Sequence, residues 1–398
     1  MEPTEQSVSR TRSHNRVLVT TRFFTPAFRG GGPIQTLNAL VAAAPAEFAV
    51  DIICANHDLG ETSPLVDRPN EWLPVGRARV RYVDGGFLAL YAAYRSVANV
   101  SIVYLNSLFS PPYSVIPLLL HRFGLWRGAI ILLAPRGELS PGALALKTKK
   151  KRVFIQALKT LGLPRAILWH ASTEEEANHI RATFGETSKI VVRENETSLP
   201  LKAHVRPQRD DRMPRLLFAS RLVQKKGLVT LLEALSTLTV PVHLDIVGAF
   251  EDPNYEAVCV AAAGGLPDNV STSFHGPLAR ADVLVQMRGA DLMAFPTAGE
   301  NFGHVIAEAL SQSCPVMCST HTPWTERLST GGGSVVSHNT PEAWAVALEG
   351  YLTSGPRAWQ ESSRRAGQCF DEWRNGDKGP HVFELAHLLA TDAQPSSY

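Results

Sequence analysis

Residues 296–310, "PTAGENFGHVIAEAL", carry two carboxylates eight positions apart, Glu300 and Glu308. The apolar run "ADLMAF" from Ala290 reads as a buried strand, which Pro296 ends. After Gly303 the apolar residues Val305, Ile306, Ala309 and Leu310 recur at helical spacing. Glu300 is therefore expected in a strand-to-helix loop, and Glu308 one to two turns into the helix. In open α/β sheets that location, beyond the carboxyl end of a strand, is where ligands bind.

Cations stand in a comparable place upstream. Arg221 follows the strand-like "RLLFAS", and Lys225 and Lys226 open an apolar-periodic helix. Cations at a helix N-terminus oppose its dipole at a cost of some tenths of a kcal/mol, so a bound anion would give the placement a purpose. Two solvated lysines are the plain alternative. Nearer the N-terminus, Gly30, Gly31 and Gly32 precede a helix patterned by Ile34, Leu37, Leu40 and Val41. Glycines let the backbone approach a ligand, and helix N-terminal N–H groups attract anions. The run is neither a GxGxxG fingerprint nor a P-loop, and a flexible turn explains the glycines equally well. Cations suit a diphosphate and carboxylates suit sugar or ribose hydroxyls, so a nucleotide-sugar satisfies the whole set. Paired carboxylates also serve glycoside hydrolysis, but a hydrolase has no need of phosphate-binding cations beside them.

These residues must be held by alternating strands and helices. "RVLVTT" from Arg16, "AVDIICA" from Ala49, "RVRYV" from Arg79, "VSIVYLN" from Val100, "AIILLAP" from Ala129 and "AILWHAS" from Ala166 read as strands. Continuously apolar strands between helices indicate a parallel sheet covered on both faces. The pattern stops near Leu199 and restarts with strands at Arg215, Val242, Asn269, Asp291 and Pro315, then mostly helix. The expected organisation is a disordered lead-in (1–15), an N-terminal Rossmann-like acceptor domain (16–199), a linker (200–213), a C-terminal Rossmann-like nucleotide-sugar domain (214–375), and a C-terminal helix and tail (376–398) packing back on the N-terminal domain. Two Rossmann-like domains would face each other across a cleft.

Composition agrees with a cytoplasmic chain. Its 398 residues are 44% hydrophobic, enough for two cores. A net charge of +2 gives no reason to expect nucleic acid. Five scattered cysteines without a CxxC pair point to a reducing compartment; Cys314 and Cys318 read as core. The polar N-terminus is no signal peptide, and no apolar run reaches the ~18–20 residues of a membrane span. No histidine or cysteine cluster has metal-ligand spacing. His170 ends a strand and reads as a hydrogen-bonded structural histidine, with a cleft role as the alternative. Lys147–Arg152, "KTKKKR", is either a solvated helix face or a peripheral contact with anionic lipid.

"SRLVQKKG", "IVG" ending at Gly248, "FHGPL" and "PTAGENFGHVIAEALSQSCPV" together resemble the retaining family 4 glycosyltransferases of GT-B fold, of the bacterial polysaccharide-biosynthesis type. Their signature is a pair of glutamates spaced E-x7-E around a glycine. The resemblance covers residues 214 to about 340 and continues loosely through the glycine loop and "APRGELSPGALALKTKKKRVF". It implies that Arg221 and Lys226 bind the diphosphate and offset charge on the leaving group. Glu300 would meet the donor sugar's hydroxyls, completing a catalytic set of Glu300, Arg221 and Lys226. Glu308 would meet the ribose. Gly31, Gly32, Gly248 and the amides of Asn301, Phe302 and Gly303 would line the donor. No DxD occurs, in keeping with fixed cations in place of a metal, and no cofactor is expected beyond the nucleotide-sugar substrate. Many relatives carry a histidine where this chain has Arg136 and Gly137. Arg136 is a candidate contact for donor or acceptor, or simply the partner of Glu138. The implied activity is transfer of a sugar to a glycan or lipid-linked oligosaccharide in surface polysaccharide synthesis, at the inner face of the plasma membrane. A small soluble acceptor, or a non-catalytic sugar-nucleotide-binding protein, is the alternative.

Overall fold

A computed structural model describes residues 15–145, 148–207 and 212–392. The expected lead-in up to residue 14, Lys147 of the basic run, residues 208–211 of the expected linker and the tail beyond 392 lie outside the described residues. The chain divides into two compact units, Met1–Ser198 with Lys378–Tyr398, and Leu199–Asp377.

The first unit is built on β1 (Asn15–Thr20), β2 (Phe48–Ala55), β3 (Trp72–Val75), β4 (Ala78–Val83), β5 (Val100–Asn106), β6 (Ile130–Ala134), β7 (Ile167–Ala171) and β8 (Lys189–Val192). They form one sheet in the order β3-β4-β2-β1-β5-β6-β7-β8. Every pairing is parallel except β3 with β4. Val17 of β1 stands opposite Val50 on one side and Ile102 on the other, so apolar β-branched residues run through the centre and bury both faces. The edge strands β3 and β8 do not stand out in the sequence: each has four residues, and β3 contains Pro74, which is tolerated only at an edge.

On one face the helix Gly32–Ala43 packs Leu37, Leu40 and Val41 against Val17, Val19 and Ile52. The helix Val382–Asp392 joins the same core through Val382, Phe383 and Ala386. His381 Nε2 lies 3.1 Å from the carbonyl of Leu40, and Arg193 Nε donates to the carbonyl of Pro380 at 2.9 Å. The C-terminal segment is thus an integral part of the first unit.

The second unit holds β9 (Arg215–Ala219), β10 (Val242–Val247), β11 (Val270–Gly276), β12 (Leu292–Phe295), β13 (Val316–Ser319) and β14 (Gly333–Val336), in the order β11-β10-β9-β12-β13-β14. All of its pairings are parallel. β14 is an addition to the expected pattern. The stretch expected to be a free linker is anchored instead: Ala203 N donates to Asp371 at 2.7 Å and His204 N to the carbonyl of Ser311 at 2.8 Å. Arg206 donates to the carbonyls of Gln312, Ala290 and Met287. In each sheet the strand order reverses once beside the first strand, between β1 and β5 and between β9 and β12. Ligands of open parallel sheets bind at such switch points, beyond the carboxyl ends of the strands.

Candidate functional site

The loops after β9 and β12 flank the switch point of the second sheet, and they carry Arg221, Lys226 and Glu300. Lys225 and Lys226 do not open the helix Leu228–Leu235; they lie in a short 3-10 turn, Gln224–Lys226, before it. Gly227 separates turn from helix with φ +79°, and a Cβ there would lie 2.2 Å from the carbonyl oxygen of Pro296. Only glycine allows the two loops to close so far. Ala298 N donates to the carbonyl of Lys225 at 2.8 Å, fastening one loop to the other. Gly248 serves a similar purpose at the end of β10. Its φ is +142°, and a Cβ would meet the carbonyl oxygen of Ser220 at 1.7 Å.

Loop closure brings the ammonium of Lys226 against the carboxylate of Glu300, with side chains 15% and 12% exposed. Lys226 also lies over the ring of Phe295, 5.3 Å from its centroid. Glu300 is fixed from behind, its N–H donating to the carbonyl of His321 at 2.9 Å. Arg221 pairs with Glu251 at 2.8 Å, both half-exposed.

Gly303, at φ +77°, caps the helix His304–Ser311. Asn301 lies in the loop before it. The side chain of Phe302 is buried against Trp373, and the indole N–H of Trp324 donates to its carbonyl at 2.7 Å. With its side chain buried, Phe302 has only main-chain groups to offer a ligand, as has Gly303. Glu308 pairs with Arg280 Nε at 2.9 Å and is 14% exposed. Burial raises its carboxyl above the usual range, and Arg280 pulls it part of the way back. Arg280 escaped the sequence reading. It opens the helix Arg280–Gly289 and lies 28 residues from its partner, with no local pattern connecting them.

In the first unit one of the two alternatives for Arg136 drops out. The arginine does not pair with Glu138, whose carboxylate accepts from Ser107 Oγ (2.7 Å), Leu108 N (2.6 Å) and Phe109 N (3.2 Å). Arg136 takes a left-handed backbone, φ +55°, and its guanidinium donates to Asn106 Oδ1 (2.8 Å), Tyr104 Oη (2.6 Å) and Asn195 Oδ1. Tyr104 Oη in turn meets His170 Nδ1 at 2.9 Å, while His170 Nε2 donates to the carbonyl of Arg193 at 2.9 Å. His170 is buried, and its pKa falls to about 3, chiefly through burial and then through the charge of Arg136. It is a neutral, fully bonded histidine of the core.

The glycine loop enters the helix Gly32–Ala43 with Gly31 at φ +67° and open space around its missing Cβ. Asp58 steadies the approach, accepting from Phe28 N (2.9 Å) and Arg29 N (3.2 Å). A cavity of about 560 Å³ lies beyond the ends of β1, β2, β4 and β5, lined by Arg22, His57, Asp84, Phe87, Phe109 and Tyr113 among others. Sequence reading missed it, because its polar residues come singly from separate strand ends. On the basic helix Thr148–Thr160, Lys149, Lys150 and Arg152 are exposed. Lys151 is instead drawn in, donating to the carbonyl of Ala143 at 2.6 Å and lying over Phe109. Among the described residues no helix is long and apolar enough to cross a membrane.

Comparison with known proteins places the second unit. Residues 202–368 match the family described as "Glycosyl transferases group 1". A "D-inositol 3-phosphate glycosyltransferase" of Xylanimonas cellulosilytica is 31% identical over 188 residues, 46% of this chain and 44% of that protein. The match thus spans less than half the length of this relative. The Anabaena protein HepE in complex with UDP and glucose superposes with a TM-score of 0.67 at 16% identity, over 95% of this chain and 99% of that one. A sucrose-phosphate synthase of Thermosynechococcus elongatus gives 0.69 at 17% identity, over 94% and 98%. The fold is GT-B, with two parallel-sheet α/β domains.

Proposed function

We propose that the chain is a retaining, metal-independent glycosyltransferase that takes a sugar from a nucleotide-sugar donor. The observation that carries this reading is the ion pair of Lys226 and Glu300 at the switch point of the second sheet. It lies inside the segment that matches the glycosyltransferase family. In the proposed reaction the donor diphosphate takes over Lys226, with Arg221 as a second cation, and Glu300 is released to the sugar's hydroxyls. Glu308 holds the ribose while Arg280 holds Glu308. The main chain of Asn301, Phe302 and Gly303 faces the sugar and phosphate from the helix N-terminus; Gly248 lets backbone lie close to the donor. The bond from anomeric carbon to phosphate oxygen breaks as the acceptor oxygen bonds to that carbon on the same face. The acceptor's proton passes to the departing phosphate. Solved relatives described with UDP and with UDP-glucose support a uridine donor.

For the acceptor, the reading is a glycan or lipid-linked oligosaccharide, met at the inner membrane face through Lys149, Lys150 and Arg152, with Val153 71% exposed among them. A second reading, a small phosphorylated acceptor, draws on the relative named for inositol phosphate. It also draws on Arg22, whose guanidinium lines the first unit's cavity and makes no ion pair or hydrogen bond among the described residues. Incubating the protein with UDP-, GDP- and ADP-sugars and assaying nucleoside diphosphate release tests the activity; adding lipid-linked oligosaccharide or inositol phosphate then separates the acceptors. Release with none of the donors, with or without acceptor, would overturn the reading.

A further inference from the structure

A second cavity, of about 720 Å³, opens at the opposite end of β12 and β13 from the Lys226–Glu300 pair. It lies where Asp291 and Ser313 precede those strands, along the helix Pro356–Asn375 from Arg357 to Asp371. Five arginines line it: Arg206, Arg212, Arg288, Arg357 and Arg364.

The carboxylates of the cavity are already engaged. Asp291 pairs with Arg212 at 3.0 Å, Glu361 with Arg364 at 2.6 Å, and Asp371 accepts from Ala203 N and faces Lys202 at 3.7 Å. Arg206 is spent on three main-chain carbonyls. Two guanidinium groups remain without a carboxylate. Arg288 reaches only the neutral amide oxygen of Gln312, at 2.9 and 3.1 Å. Arg357 is exposed and makes no ion pair or hydrogen bond among the described residues. Excess positive charge is felt locally: His204, on the same wall, has its pKa lowered by burial and then by Arg288 and Arg206.

We propose that this cavity is a second anion site, separate from the donor site, that binds a small phosphate-bearing solute through Arg288 and Arg357. A guanidinium fork matches phosphate oxygens in pairs. The volume lies within the range of small-molecule sites, roughly 300–1,000 Å³, so a sugar phosphate fits as well as bare phosphate. An occupant would abut the end of the helix that carries Glu308. Ser311 there accepts from His204 N, and the next residue, Gln312, holds Arg288.

Calorimetry on the full chain with inorganic pyrophosphate and with glucose 6-phosphate, each with and without excess UDP, tests the site. Preference for one probe distinguishes a bare phosphate from a sugar phosphate. Binding is expected to persist under UDP and to weaken at least tenfold in both Arg288→Gln and Arg357→Gln. Arg357→Gln removes no bond within the protein, so its melting temperature without ligand should equal that of the parent. Wild-type affinity in both variants, no binding of either probe, or complete displacement by UDP would overturn the proposal. Because the outcome is read from these arginines, it stands apart from whether Lys226 binds a donor.

Discussion

The ammonium of Lys226 and the carboxylate of Glu300 meet across the two loops that flank the switch point of the second sheet. The residues lie 74 positions apart in the chain. Each neutralises the other where little water reaches, so removing either leaves the survivor's charge uncompensated. Lys226→Met and Glu300→Gln should each cost about 3 kcal/mol of unfolding free energy. The double variant should cost clearly less than the sum. Urea titrations of the three variants would read the coupling; additive losses would mean the pair has none.

The two glutamates should separate by role. Glu308→Gln should weaken nucleoside diphosphate and donor binding together, since ribose belongs to both. Glu300→Gln frees Lys226, so it should leave nucleoside diphosphate affinity undiminished or raise it, and lower the transfer rate. Calorimetry with the nucleotide, set beside initial rates with the donor, decides it. A loss of nucleotide affinity confined to Glu300→Gln would reverse the roles.

Chelation offers a separate check. With Arg221 and Lys226 as the proposed charge partners of the leaving group, transferase activity should survive EDTA. A complete loss restored by Mg²⁺ or Mn²⁺ would contradict the proposed leaving-group chemistry.

His170 sets an acid limit. Its folded-state pKa of about 3 lies below the ordinary 6.5, so the unfolded chain binds the extra proton first. Stability from this residue is complete above pH 6.5 and falls as pH drops from there towards 3. Nitrogen chemical shifts should show an unprotonated His170 at pH 5, donating from Nε2. An imidazolium at that pH would rule out the bonded core role.

The C-terminal helix should be indispensable to the first unit. Phe383 is fully buried against Phe48 and Tyr104, and Phe383→Ala should cost about 3–5 kcal/mol. Thermal or urea unfolding that shows a loss below 1 kcal/mol would mean the helix is only loosely held.

The central strands were legible because they are buried on both faces and so read as unbroken apolar runs; β5 occupies Val100–Asn106, the very stretch the pattern marks. The edge strands β3, β8 and β14 were not, since four residues half-covered by neighbours leave no such run. The loop with Glu300 and the helix with Glu308 followed from Pro296, Gly303 and the spacing after them. Their partners did not. Lys226 and Arg280 reach them only through the parallel stacking of strands distant in sequence. The pairing of Arg136 with Glu138, one of two alternatives, fails for the same reason: Glu138 is near in the chain, yet Tyr104, Asn106 and Asn195 arrive from elsewhere.

The course of the chain through the two units bears on how the protein is made. Residues 199–377, the whole second unit, are synthesised between β8 and the helix Val382–Asp392, which belongs to the first core. During translation the second unit can therefore complete its sheet while the sheet face around Phe48 and Tyr104, which takes Phe383, still lacks its cover. Of the two units, the one that starts to emerge earlier from the ribosome is finished later. Until then its apolar surface is open to the crowded interior of the cell, where a chaperone would find it.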